Sequence, residues 1–423
     1  MPTHATAPPA LLKIVREMID IKEIRRQFPI LERTVHGSKQ LIYLDNTATS
    51  QTPRRVVEAI TAGYYHTKAN VHRGVHALSQ EATEFQEATR RRVARYLNAA
   101  GPEEIIFTRG TTEAINLVAA SFGQTFPKGG EIILTVMEHH ANIVPWQLLA
   151  GRNGLAIKVV DIHEDGSLDL EQYRNIFTER TVMAVFCHVS NVLGTVNPVK
   201  EMTSVAHSHG VPVLVDGAQA SPHMKIDVRG TGCDFYAFSS HKMYGPTGVG
   251  VLYGRRELLE RMPPWQGGGE MIGHVRLPQG TTYAELPYKF EAGTPDFIDI
   301  AAFSAALDFL EETGIEAIAA HEHELLEYAT ELITDKIEGL RIFGTTPGKG
   351  PVLSFLVRDA HPYDVGMLLD AQGVAVRTGH HCAQPLMDRY GITGTVRASF
   401  AVYNTREEVE TFARALVRVN NMI

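Results

Sequence analysis

One turn of the sequence places a lysine next to a serine and a histidine. Residues 239–248 read SSHKMYGPTG, and apolar runs lie on both sides of this segment. A lysine held in a pocket loses its proton readily and can form a Schiff base with an aldehyde cofactor. Ser239 and His241 could hold a phosphate beside Lys242. Taken alone, however, a surface lysine in a loop is the simpler interpretation.

A carboxylate follows the apolar run 211–215 at Asp216. In open α/β sheets, ligands bind at the carboxyl ends of the strands. A carboxylate there can pair with a protonated pyridine nitrogen and keep that ring an electron sink. An acid that caps the next helix gives the same pattern. The segment by itself is compatible with both.

Residues 105–114 read IIFTRGTTEA, which predicts a strand followed by a helix. The helix would begin at Thr111 and Thr112. Free backbone N–H groups and the helix dipole make such a start a phosphate site. An ordinary capped helix has the same spacing.

Two adjacent histidines, His139 and His140, follow the apolar run 131–136. Such a pair can bind a metal, but no cysteine or glutamate at ligand spacing completes a site, and we expect no metal. A flat imidazole stacked on a cofactor ring is the alternative. In isolation, a histidine with a purely structural role is the favoured interpretation.

A cysteine in the segment RTGHHCAQPL, residues 377–386, is the candidate nucleophile. Cys382 lies in a polar turn between Arg377 and Arg397, a setting that favours the thiolate. Cys187 lies in an apolar run and is expected in the core, and Cys233 has no basic residues around it.

The elements that must position these residues alternate along the first part of the chain. Short apolar runs at 104–108, 131–136, 181–188, 211–215 and 248–253 are separated by amphipathic stretches such as 80–97 and 199–209. This alternation predicts an α/β fold with a mostly parallel sheet covered by helices. A smaller α+β domain is expected to follow. It has a helical pattern from 300 to 333 with a break near Gly314, strands at 351–357, 374–377 and 395–399, and a last helix at 406–419. A helix at 11–28 is expected to complete it.

The composition narrows the class of protein. The chain has 423 residues, a net charge of −8 and three cysteines, at 187, 233 and 382. The charge argues against a nucleic-acid or anionic membrane surface, and three scattered cysteines do not form a disulfide framework. No apolar run approaches the roughly 18 residues that span a bilayer. We therefore expect a cytoplasmic protein.

Seven segments taken together resemble the cysteine desulfurases of the SufS type. They lie in the family's order, and they are residues 44–48 (LDNTA), 70–74 (NVHRG), 109–116 (RGTTEAIN), 138–142 (EHHAN), 216–219 (DGAQ), 239–242 (SSHK) and 377–383 (RTGHHCA). Position 47 is a threonine where the family usually has alanine. The resemblance implies fold type I of the pyridoxal-phosphate enzymes, with class V aminotransferase ancestry and a homodimer. It implies a large domain with a seven-stranded sheet at 36–305, and a small domain at 1–35 and 306–423 that carries the cysteine loop.

The resemblance also implies roles for individual residues. Lys242 would hold pyridoxal 5'-phosphate, Asp216 its pyridine nitrogen and Gln219 its ring hydroxyl, while His139 would stack on the ring and take part in catalysis. Phosphate ligands would be Thr111, Thr112, Ser239 and His241, with Thr294 donated by the other subunit. Asn191 and Arg397 would bind the substrate carboxylate, and Cys382 would carry sulfur as a persulfide.

The implied reaction converts L-cysteine to L-alanine. The short stretch between Cys382 and Arg397 resembles the group that passes sulfur to a dedicated SufE- or SufU-like acceptor protein for iron–sulfur cluster assembly. Three alternatives remain: an aminotransferase of the same fold, a coexisting selenocysteine lyase activity, and a non-catalytic assembly scaffold. Intact Lys242, Asp216 and Cys382 argue against the scaffold.

Overall fold

The computed structural model describes residues 19–423, and a seven-stranded sheet forms its centre. Only Gly250–Gly254 runs against the other strands. Helices cover a sheet of this kind on both faces, so its inner strands are buried almost throughout. The strand order across the sheet is Ile105–Thr108, Gly250–Gly254, Phe235–Ser239, Val213–Asp216, Thr181–Cys187, Glu131–Thr135 and Ala156–Val160.

The helices follow the apolar spacing of the sequence. Ala77–Tyr96, for example, buries Ala82, Gln86, Thr89 and Val93, which lie three or four positions apart, as expected for one face of a helix. The other helices of the first part are Ile21–Arg26, Arg54–Ala62, Thr111–Ser121, Val144–Asn153, Leu170–Asn175, Val199–Ser208, Val228–Thr231 and Arg256–Arg261. The predicted break at Gly314 separates the helices Phe297–Thr313 and Ile315–Lys336.

A second sheet lies in the last part of the chain. It is antiparallel, with the order Leu340–Phe343, Val352–Val357, Thr395–Ser399 and Arg377–Gly379. Its helices are Pro362–Asp370, Gln384–Tyr390 and Arg406–Asn420, the last of which begins with a capping box between Thr405 and Glu408. The short strand Val374–Ala375 pairs in parallel with Ile42–Tyr43. Short antiparallel pairs join Thr34–Val35 to Lys39–Gln40 and Ile272–Arg276 to Gly280–Tyr283.

The predicted fold class is confirmed: an α/β fold with a mostly parallel seven-stranded sheet, accompanied by a smaller α+β part. One strand of the central sheet, Ala156–Val160, was not predicted, because it is a half-exposed edge strand that lacks a continuous apolar run. Phe235–Ser239 is the apolar run that directly precedes the lysine turn.

The domain boundaries at 35/36 and 305/306 stay predictions. Of the helix expected at 11–28, Ile21–Arg26 is observed, and residues 11–18 lie outside the described part of the chain. The Phe28 ring packs against the rings of Tyr244, Phe309 and Tyr403. Among residues 19–423, no helix has the length and apolar character to cross a membrane, and no cluster of three or more potential metal ligands occurs.

Candidate active site

A cavity of about 210 Å³ lies where three neighbouring parallel strands end. Cys187, Asp216 and Ser239 are the last residues of these strands, and all three line it. This edge is where open α/β sheets bind ligands. All predicted site residues except Thr294 line this cavity, namely Thr111, Thr112, His139, Asn191, Asp216, Gln219, Ser239, His241, Lys242, Cys382 and Arg397.

Lys242 ends a short helical turn that directly follows the strand Phe235–Ser239. Burial lowers the pKa of Lys242 to about 8, and the nearby carboxylate of Asp216 only partly opposes this effect. An ordinary lysine has a pKa near 10.5. A much larger fraction of Lys242 is therefore the neutral, nucleophilic amine near neutral pH.

Asp216 is buried, and one of its carboxylate oxygens accepts a hydrogen bond from the backbone N–H of Ala218 at 3.0 Å. Burial raises the pKa of this carboxyl group above its usual value. A cationic partner in the cavity would restore the charged form. Asp216 is thus suited to a protonated ring nitrogen.

Thr111 is the first residue of the helix Thr111–Ser121, and its backbone N–H donates to the Ser239 hydroxyl at 2.8 Å. The two hydroxyl oxygens are 2.7 Å apart. The strand Gly250–Gly254 passes very close by: a Cβ at Gly250 would lie 2.3 Å from the Cα of Gly110, so only glycine fits there. A helix N-terminus with two hydroxyls beside it is suited to a phosphate.

His241 directly precedes Lys242 in the sequence, and its Nδ1 is 3.1 Å from the hydroxyl of Thr49. Burial lowers the pKa of His241 to about 4, so the ring is neutral at neutral pH. Gln219 is fixed by donating its amide to the carbonyl oxygen of Thr47 at 2.7 Å. Both side chains are therefore held in place as hydrogen-bonding groups of the cavity wall.

His139 has a defined tautomer. Its Nδ1 accepts a hydrogen bond from the backbone N–H of Ala141 at 3.0 Å, which leaves the ring hydrogen on Nε2. Burial and the positive charge of Lys242 lower the pKa of His139 to about 3. The ring is thus a neutral, flat group with one N–H donor.

Arg397 is buried on the strand Thr395–Ser399 of the second sheet. Its guanidinium donates to the carbonyl oxygen of Asn191 at 2.9 Å and to the carboxylate of Asp45 at 3.3 Å. Its Nε has no hydrogen-bond partner among the described residues. Burial lowers the pKa of Arg397 to about 10, so the group remains a cation at neutral pH and has donor capacity left for a carboxylate.

Cys382 lies between the second sheet and the turn that carries His139. His381 and Cys382 both have left-handed backbones, with φ of +51° and +58°, and the backbone N–H of His140 donates to the carbonyl oxygen of Cys382 at 2.7 Å. The Cys382 side chain is partly exposed, whereas Cys187 and Cys233 are buried. Burial raises the pKa of the Cys187 thiol well above its usual value and that of Cys233 to about 12.

Thr294 is the one predicted site residue that the chain does not bring to this cavity. It lines a separate cavity of about 290 Å³ together with Arg109, Glu113 and Trp265. A role for Thr294 in a phosphate site would therefore need a second copy of the chain.

The sequence interpretation missed several groups of the site. Cys187 is buried in the core, as expected, but it also lines the cavity. Asp45 pairs with Arg397 from a position 352 residues away, a contact that no local sequence pattern predicts.

Glu138 is buried behind His139, where its carboxylate accepts from the Asn142 amide at 2.6 Å and from the Cys187 backbone N–H at 3.0 Å. The sequence could have indicated Glu138 as a site residue through its position next to the histidine pair.

The groups of this cavity fit pyridoxal phosphate. They combine a lysine amine of lowered pKa, a buried carboxylate and a helix N-terminus flanked by hydroxyls. These are the partners for an aldehyde, a pyridine nitrogen and a phosphate, respectively.

A family model described as aminotransferase class-V matches residues 42–412. The probable cysteine desulfurase of Halalkalibacterium halodurans is 50% identical over 395 residues, which cover 93% of this chain and 96% of that protein. The cysteine desulfurase of Cronobacter sakazakii is 48% identical over 404 residues and covers 95% of this chain and 99% of its own.

Solved structures agree with these similarities. The cysteine desulfurase CsdA of Escherichia coli superposes with a TM-score of 0.88 at 38% identity, over 96% of this chain and 99% of its own. The apo cysteine desulfurase of Thermococcus onnurineus NA1 has a TM-score of 0.90 at 40% identity, over 95% and 98% of the two chains. The cystine C–S lyase C-DES, solved with its product cysteine persulfide, has a TM-score of 0.80 at 25% identity, over 92% of this chain and 99% of its own.

Proposed function

This chain belongs to the class-V aminotransferase family and, within it, to the cysteine desulfurases, and we propose that it converts L-cysteine to L-alanine with Cys382 as the sulfur carrier. One observation carries the assignment of the carrier. Cys382 is the one cysteine of the chain with a partly exposed side chain, and it lines the same cavity as Lys242 and Arg397.

The family's cofactor is pyridoxal 5'-phosphate. We assign its aldehyde to Lys242, its pyridine nitrogen to Asp216, its ring hydroxyl to Gln219 and its ring face to His139. The phosphate is assigned to the group Thr111, Thr112, Ser239 and His241. When bound, this cofactor supplies an electron sink for the substrate Cα.

The side chains of the cavity then have distinct roles. Arg397 and Asn191 bind the substrate carboxylate, with the guanidinium as the charged, forked donor. The amine of Lys242 moves a proton at the substrate Cα. His139 takes part in the proton transfer to the carbon that loses sulfur, and this proton comes from the thiol of Cys382.

The thiolate of Cys382 attacks the sulfur of the substrate, and the carbon–sulfur bond of cysteine breaks. In total, L-cysteine and the Cys382 thiol give L-alanine and a Cys382 persulfide, so atoms and electrons balance without a further oxidant or reductant. The raised thiol pKa of Cys187, caused by its burial, makes that cysteine a poor nucleophile despite its place in the cavity wall.

We further propose that the protein is of the SufS type and passes its sulfur to a SufE- or SufU-like acceptor for iron–sulfur cluster assembly in the cytoplasm. The supporting feature is the structured segment after Cys382. The helix Gln384–Tyr390 begins two residues later and the strand Thr395–Ser399 follows, so little free chain is left to carry the sulfur outward. A selenocysteine lyase activity would use the same residues.

A homodimer is proposed from the place of Thr294. Because Thr294 lies outside the main cavity of its own chain, its proposed phosphate contact has to be made in the partner subunit. Mixing a Lys242→Ala protein with a Thr294→Ala protein under subunit-exchange conditions tests this. Recovery of activity above that of either parent supports the shared site, and no recovery in verified mixed dimers contradicts it.

Substitution of Cys382 tests the proposed function. We expect Cys382→Ala to keep the cofactor's visible absorbance and its change on addition of cysteine, but to stop making alanine and protein-bound persulfide. Cys233→Ala is the matched control, since that thiol is buried and does not line the cavity.

Retention of the wild-type desulfuration rate in Cys382→Ala would contradict the carrier role. The chain would then act as a lyase that releases sulfur without a covalent carrier. The similarity to a C–S lyase crystallised with cysteine persulfide makes this the second candidate.

A further inference from the structure

Two histidines that have no assigned role lie beside the Cys382 loop. The rings of His140 and His380 are 5.5 Å apart and inclined by 33°. Neither ring lines the main cavity. Any effect of these two histidines on the reaction must therefore pass through another residue.

Both rings accept hydrogen bonds from the backbone of the loop. The N–H of Cys382 donates to Nδ1 of His380 at 3.1 Å, and the N–H of Gln384 donates to Nε2 of His140 at 3.2 Å. Each accepting nitrogen carries no hydrogen in this arrangement. Burial lowers the pKa of His140, which favours the neutral form of this ring.

The loop needs such contacts because of its backbone. His381 and Cys382 are consecutive residues at positive φ, a backbone conformation that residues other than glycine rarely adopt. The buried His381 side chain is fixed to the Thr395 hydroxyl at 2.9 Å, and its carbonyl accepts from Asn191 at 2.8 Å. The Cys382 and Gln384 N–H groups are held by the two histidines instead.

We propose that His140 and His380 form a histidine clamp that positions Cys382 for attack on the substrate sulfur. They are positioning residues, since each contacts the loop backbone and not the cavity. The inference rests on the proposed role of Cys382 as the sulfur carrier.

The experiment uses the holoenzyme and compares alanine variants of the two histidines with variants that retain a hydrogen-bond acceptor. His140→Ala and His380→Ala lose the acceptors, whereas His140→Gln and His380→Asn place an amide oxygen close to the lost ring nitrogen. Single-turnover formation of persulfide on Cys382 is measured by mass spectrometry, together with the visible response to cysteine. Backbone hydrogen exchange of a peptide spanning 380–386 is measured without substrate.

We expect each alanine variant to form persulfide about tenfold more slowly, as for the loss of one hydrogen bond. The cysteine concentration that gives half of the visible change should stay at its wild-type value. Hydrogen exchange at 380–386 should become faster, and the Gln and Asn variants should recover both the persulfide rate and the exchange protection.

Alanine variants with wild-type persulfide rates and wild-type exchange would overturn the clamp. The clamp would also be overturned if the Gln and Asn variants formed persulfide as slowly as the alanine variants. Loss of the hydrogen-bond acceptor would then not be the cause of the slower reaction. A parallel Cys382→Ala sample separates the two proposals. If it still makes alanine, the carrier role fails, while the exchange data still decide whether the histidines hold the loop.

Discussion

The guanidinium of Arg397 donates to the main-chain carbonyl of Asn191 at 2.9 Å, which joins the two residues assigned to the substrate carboxylate. The side-chain amide of Asn191 in turn donates to the carbonyl oxygen of His381 at 2.8 Å. The carboxylate site is thus connected directly to the residue before Cys382. Correct placement of the substrate and of the thiol depends on one hydrogen-bonded network.

Arg397→Lys should weaken cysteine binding. Lysine keeps the positive charge but lacks the planar fork, and it cannot contact Asn191, Asp45 and a carboxylate together. We expect the KM for cysteine to rise about 10- to 100-fold, as for the loss of one charged hydrogen bond, with the cofactor's absorbance unchanged. Steady-state kinetics measure this, and Arg414→Lys, at an exposed position of the last helix, is the control. An unchanged KM would contradict the role of Arg397.

Cofactor uptake by the apo protein should depend on pH through Lys242. The neutral amine is the reactive form, and burial lowers the pKa of Lys242 to about 8. The uptake rate should therefore fall about tenfold per pH unit below 8 and level off above it. Stopped-flow absorbance at several pH values measures this. A rate that still rises steeply between pH 9 and 10, as for an ordinary lysine, would show that the amine is not perturbed. Borohydride reduction followed by peptide mapping should place the cofactor on Lys242.

Ser239→Ala should reduce cofactor affinity. The substitution removes the hydroxyl that accepts from the Thr111 N–H at 2.8 Å and that lies beside the proposed phosphate position. We expect a Kd for pyridoxal phosphate about tenfold higher, as for the loss of one hydrogen bond. Equilibrium dialysis gives the value. Ser239→Thr, which keeps a hydroxyl, and Ser208→Ala, at an exposed helix position, are the comparisons. Equal affinity in Ser239→Ala and wild type would exclude the contact.

Glu138 should make the stability of the apo protein pH-dependent. Burial raises the pKa of Glu138 from 4.5 to about 7. The folded state therefore keeps this proton up to about pH 7, whereas the unfolded chain loses it near 4.5. The stabilisation that results from the raised pKa is fully present below pH 4.5 and is lost as the pH rises through 7. The free energy of unfolding should fall by on the order of 3 kcal/mol in total.

The Glu138→Gln protein lacks this titration and is the reference. The thermal midpoint of the wild-type apo protein should fall relative to that of Glu138→Gln between pH 5 and pH 8. Parallel pH curves for the two proteins would show that Glu138 does not titrate in this range.

Local patterns were sufficient for most of the central sheet. The run 211–215 precedes Asp216, and the break at Gly314 divides two helices. Both were predictable because a strand buried on both faces has a continuous apolar run, and a helix often ends at a glycine. The half-exposed strand Ala156–Val160 has no continuous apolar run and was missed for that reason.

The sequence by itself determined the residue types and their order: the lysine turn, the acid at a strand end, the threonines at a helix start and the cysteine between histidines. These are properties of contiguous segments, and seven such segments in register identify a family. Only the tertiary structure decided which of them share a cavity. It separates Thr294 from the other site residues, pairs Asp45 with Arg397 across 352 positions and brings the His140 ring to the loop of Cys382. Such contacts depend on how the two sheets pack together, and neither periodicity nor spacing along the chain encodes a distance between residues so far apart.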